Sequence, residues 1–125
     1  MRRHFLEHFG HRNLDAIVAD YAEDAVLVHS INGERKSYHG HGQIREAFIE
    51  TFKQHPTVNS MFRLEEIVVR DRVGMVRWSA KTPKHHYPSM GNNDTFRFDS
   101  NGKISKQFFN GEIRQLETPW YVDGN

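Results

Sequence analysis

The chain has 125 residues, 37% hydrophobic and 26% charged, and its 17 Lys and Arg nearly balance 16 Asp and Glu, for a formal net charge of +1. That size holds one domain with one real core, the charge balance gives no support to nucleic-acid binding, and no window approaches the roughly 20 apolar residues that cross a bilayer. Cysteine is absent, which excludes disulfides, thiolate chemistry and Cys-bearing zinc sites and fits a cytoplasmic location.

The basic first residues lack the apolar core of a secretory signal, and His4 to Phe9 reads as a short helix stopped by Gly10. Phe5 and Phe9 share one side, which leaves His4, His8 and His11 as a solvated face. His4, Glu7 and His8 match a zinc-protease spacing, but the chain is too short for a protease domain and no metal is expected. Asn13 suits the N-cap of a helix over Leu14 to Tyr21, with Leu14, Ile17, Val18 and Tyr21 as its apolar stripe. Ala25 to His29 then has strand character, and Asn32-Gly33 signals a hairpin into Arg35 to His39. His39 and His41 could chelate a metal, but no third ligand is near in sequence, so they belong to the loop before a helix over Gln43 to Gln54. That helix turns Ile44, Ala47, Phe48 and Phe52 inward.

From Val58 the pattern is antiparallel, with strands near 58–70, 73–82, 93–99 and 103–113 and turns at Asp71-Arg72 and Asn101-Gly102. Pro83 to Met90 lacks periodicity and reads as a long loop, with His85, His86 and Tyr87 as a possible lid. Helices followed by a strongly paired sheet indicate an α+β fold whose single sheet curls around the helices and leaves a pocket. Trp120 and Tyr121, in a polar tail, suggest docking onto the body or a second subunit.

The strand at 93–99 says most about function. Its period of two puts Asp94, Phe96 and Phe98 on one face and Thr95, Arg97 and Asp99 on the other. A carboxylate beside two buried phenylalanines costs free energy unless it is paired or protonated. Chains keep such a group for chemistry or for a polar ligand, or to cap a neighbouring loop. His29 shares its strand face with Ala25 and Leu27, so its imidazole projects into the same apolar space. It can serve as a base, sit as a core histidine, or form a structural ion pair with Asp94. Trp78 lies on a strand face with Val76 and Ala80, in the core or on a pocket wall.

Three segments, 13–28, 38–48 and 94–104, resemble the nuclear transport factor 2-like superfamily, and within it the SnoaL-like cyclases and ketosteroid isomerases. The resemblance implies a single SnoaL-like domain over 1–125. Its fold would be a cone-shaped, strongly curved, mostly antiparallel sheet with about three helices in the N-terminal half enclosing a pocket, a cystatin-like roll. The isomerases' general base falls at His29 and their hydrogen-bond-donating Asp at Asp94, while their oxyanion tyrosine falls at Phe5, which cannot donate. SnoaL-like cyclases pair a His with an Asp, as His29 and Asp94 would. The resemblance thus implies a cofactor-independent isomerase, cyclase or dehydratase for a small apolar carbonyl compound. His29 would be the base and Asp94 the acid or oxyanion donor, and Phe5, Tyr21, Leu27, Trp78, Phe96 and Phe98 would contact substrate. It also implies a homodimer formed through the sheet; the alternative is a non-catalytic ligand-binding or dimerisation module.

Overall fold

In the computed structural model the described residues are His4 and 12–54, 61–81, 85–87, 92–112 and 114–115. The chain enters them through α1 (Leu14–Ala19), capped as the sequence indicates: Asn13 Oδ1 accepts the Ala16 amide at 3.1 Å. Helix α1 stops two residues short of the expected Tyr21. Ile104 donates its amide to the Asp20 carbonyl at 2.8 Å, and Tyr21 pairs with Ile104, so the sheet recruits residue 21 as the start of β1 (Tyr21–Ile31). The expected helix at 4–9 lies outside the described residues, apart from His4.

β1 turns through Asn32 and Gly33, both at positive φ (51° and 86°), into β2 (Glu34–His39), with Ile31 opposite Glu34. This is the two-residue hairpin that an Asn-Gly pair favours. Helix α2 (Gly40–Gln54) begins three residues before its expected start. The Gln43 side chain accepts the His39 amide at 2.8 Å, and the His41 ring is bonded to the Tyr21 carbonyl at 2.8 Å, so two side chains pin the glycine-bearing first turn. Ile44, Ala47 and Phe48 are buried against the sheet, and Phe52 packs beside them.

The remaining strands are β3 (Met61–Arg70), β4 (Val73–Lys81), β5 (His85–Tyr87), β6 (Asn93–Phe98), β7 (Ile104–Gly111) and β8 (Arg114–Gln115). The segment read as an unbroken loop therefore contains a strand: β5 pairs with Ala80 and Lys81 of β4. Such a short strand has too few residues to show a period. One eight-stranded sheet runs β2-β1-β7-β6-β4-β5-β8, with β3 paired to β4. Among the described residues every pairing is antiparallel except β1 with β7. The sheet curls around the helices, and its register shifts in β1, β3 and at the β6–β7 end add local twist. The concave face and helices enclose Ile17, Tyr21, Leu27, Ile44, Val76 and Phe96.

Candidate active site

Paired residues in adjacent strands project to the same face of a sheet. His29 pairs with Lys36 and Phe109, Phe109 with Asp94, Asp94 with Val76, and Val76 with Ile67. One rung across five pairings thus places His29 and Asp94 on the concave face, with Phe109 between them.

Asp94 is 3% exposed, and both its oxygens are held. The Trp78 indole Nε1 donates to Oδ1 at 2.8 Å, and Gln107 Nε2 donates to Oδ2 at 2.5 Å. The Tyr21 hydroxyl donates in turn to Gln107 Oε1. Burial pushes the Asp94 carboxyl up to about 6, against the opposing pull of the Trp78 and Gln107 hydrogen bonds. Burial also raises the Tyr21 hydroxyl well above its ordinary value, and the nearby Asp94 and Asp20 charges add to this. Tyr21 therefore stays a neutral donor.

The His29 imidazole meets the Tyr38 ring (centroids 5.4 Å apart) and the Phe109 ring edge-on (5.6 Å, 82°). Phe109 stacks on Trp78 at 5.6 Å and 16°. Burial, and then the Lys36 charge, lower His29 to about 4, so it is a neutral imidazole at neutral pH. No hydrogen bond or ion pair joins His29 to Asp94 among the described residues; Phe109 stands between them in the register and meets the His29 ring edge-on. His29 lines an open groove of about 1150 Å³ between the β1–β2 hairpin and α2, with Lys36, Tyr38, Ala47 and Thr51 among its other walls. Asp94 does not line that groove.

The other expected contact residues fall as follows. Tyr21 is 1% exposed and tied to Gln107, and Leu27 and Phe96 are core residues. Trp78 is half-buried with its N–H on Asp94, and Phe98 is half-buried and stacked on Phe96 at 6.2 Å. Phe5 lies outside the described residues. One sequence reading is corrected: His4 is buried, not solvated. It is bonded through Nδ1 to Asp20 Oδ2 at 2.8 Å and packed edge-on against Tyr21 and Phe96. A carboxylate partner satisfies the ring nitrogen and makes that burial tolerable.

Gln107 and Phe109 were not singled out from the sequence. Counting in twos from Ile104 turns Lys106 and Phe108 inward, but the register shift beside Ile104 reverses the parity, so Gln107 and Phe109 face the core. The available signal was an uncharged amide beside two phenylalanines in a strand opposite Asp94.

A family profile described as a SnoaL-like domain matches residues 2–107. A SnoaL-like protein of unknown function from Burkholderia thailandensis superposes with a TM-score of 0.68 at 15% identity, covering 87% of this chain and 89% of that one. A nuclear transport factor 2-like protein of unknown function from Mesorhizobium loti gives 0.70 at 16% identity, over 87% and 85%. A candidate polyketide cyclase from Sinorhizobium meliloti gives 0.61 at 18% identity, over 89% and 90%. No curated protein matches the sequence. With 106 of its 125 residues inside the profile and its fold shared with these structures, the chain belongs to the SnoaL-like domain family.

Proposed function

We propose that this protein is an acid–base enzyme that moves a proton on a small, largely apolar carbonyl compound, as an isomerase, cyclase or dehydratase working without a cofactor. What carries the reading is one rung that holds a buried, hydrogen-bonded carboxylate, Asp94, two strands from an imidazole at the groove wall, His29, with burial raising the first to about 6 and lowering the second to about 4. In water the imidazole would be the stronger base. Here the carboxylate is, so the roles suggested by the family resemblance exchange. Asp94, ionised at neutral pH and poised near it, takes the proton next to the carbonyl. His29, neutral and reaching the groove, donates a hydrogen bond to the oxyanion that forms, as neutral imidazoles can. The two residues stand two strand spacings apart, about 10 Å, so a flat substrate of two or three rings entering from the groove reaches Asp94 by taking the place of the Phe109 ring. Tyr38 and Trp78 supply apolar wall beside it. The fold shared with a candidate polyketide cyclase is consistent with this size.

The test is exchange of α-protons from enolisable bicyclic ketones in D₂O, followed by NMR. Exchange by the wild type should fall at least about 100-fold in Asp94→Asn and in His29→Ala. Full exchange by either variant contradicts the assignment.

A second reading, a non-catalytic ligand-binding or dimerisation module, is favoured by the near-complete burial of Asp94 and its two protein hydrogen bonds. Under that reading the same two variants retain ligand affinity and no exchange is seen in any of the proteins.

A further inference from the structure

We infer that Gln107 is the positioning residue of this site: held by Tyr21, it aims its amide N–H at Asp94 and keeps that side chain a proton acceptor. The amide of a glutamine can present either its oxygen or its nitrogen, and here the neighbours decide which. The Trp78 indole is a donor only, so Asp94 Oδ1 must accept from it. With Nε2 on Asp94 Oδ2, Gln107 Oε1 faces Tyr21 and accepts its hydroxyl proton. Reversing the amide would set two acceptor oxygens against each other. It would also face the Tyr21 hydroxyl with an NH₂ group that cannot accept, and so deprive a fully buried O–H of its partner. The donors therefore run in one direction, from Tyr21 to Gln107 to Asp94, and from Trp78 to Asp94. Each donor polarises the next in a medium with little water to weaken it.

The surroundings of Gln107 give the amide no other reason to be there. It is 5% exposed, and its cross-strand partners are Leu27 on β1 and Phe96 on β6, both core residues. Leucine or methionine would fill that space without burying an amide. The amide's hydrogen bonds go to Tyr21 and Asp94, so its role is to join them.

The inference deepens the proposed site and rests on Asp94 as its proton acceptor, but it can be tested without substrate. The Trp78 indole ¹⁵N–¹H resonance of the full chain, assigned with Trp120→Phe, reports the charge on its Asp94 partner as pH is varied. The wild type should show an inflection near pH 6, absent in Asp94→Asn. Gln107→Leu should raise that midpoint by about one to two pH units, since it removes a hydrogen bond to a charged group. Tyr21→Phe, which removes a single oxygen and leaves the Gln107 donor in place, should raise it by less. Should Gln107→Leu fail to fold by far-UV circular dichroism, Tyr21→Phe decides. An unmoved midpoint in a folded variant, or a wild-type resonance without inflection, overturns the inference. If the midpoints move as expected while no ketone is exchanged, the positioning role stands and the proposed function falls.

Discussion

His29 and Asp94 both pair with Phe109, one across the parallel β1–β7 register and the other across the antiparallel β6–β7 register. They are therefore second neighbours on one face, too far apart to bond to each other. Phe109 stands between them in the register, with Asp94 buried and His29 at the groove wall, and no hydrogen bond or ion pair among the described residues joins them. This is how a carboxyl can be raised while an imidazole on the same rung is lowered.

The opposed shifts predict an unusual pH dependence of stability. Between about pH 4 and 6.5 the unfolded His29 binds a proton that the folded one refuses, so its contribution to stability rises with pH. Between about pH 4 and 6 the folded Asp94 holds a proton that the unfolded one has lost, so its contribution falls with pH. Each amounts to at most about 3 kcal/mol, and in the wild type they largely cancel. Asp94→Asn should lose stability as the pH drops from 6.5 to 4, and His29→Gln should lose it as the pH rises from 4 to 6. Urea melts across that range check both slopes, and slopes of the same sign in the two variants would contradict the assignment.

Gly111 is a sensitive position for the rung. A Cβ placed there would lie 2.3 Å from Phe109 Cζ and 2.8 Å from Asn92 Oδ1. Phe109 cannot retreat easily, with Trp78 stacked on it and His29 against its edge. Gly111→Ala should cost about 1–3 kcal/mol by thermal melting, the usual cost of overpacking. It should also shift the His29 and Trp78 ring resonances together, whereas a melt and spectrum like the wild type's would show that the ring is free to move.

Trp78→Phe keeps a ring to stack on Phe109 but removes the donor on Asp94 Oδ1. The Asp94 midpoint should rise by about one pH unit or more, and the acid limb of any activity profile should move up with it. The check is the Asp94 carboxyl ¹³C shift against pH, and an unmoved midpoint would mean that the indole bond contributes nothing.

Much of the frame was legible because it is built from local chemistry. Asn13 caps, Asn32-Gly33 turns, and the inward set on α2 follows the helical period. The Asp94–Phe96 face was legible for the same reason, since β6 alternates without interruption from Asn93 to Arg97. What escaped depended on contacts distant in sequence. The burial of His4 depends on Asp20, sixteen residues away, and the inward turn of Gln107 depends on a register shift that no single-strand period reveals. The opposed shifts of His29 and Asp94 were hidden too, because they are set by burial in the folded sheet, with Lys36 adding to the shift of His29 while Trp78 and Gln107 pull against that of Asp94.

The central claim is that His29 and Asp94 bind protons in the reverse of their usual order. NMR titration of ¹³C-labelled protein, following Asp94 Cγ and His29 Cε1 in one sample, measures it most directly. The account predicts that Asp94 titrates near 6 and His29 near 4. The ordinary order, with His29 binding its proton at higher pH than Asp94, would contradict it.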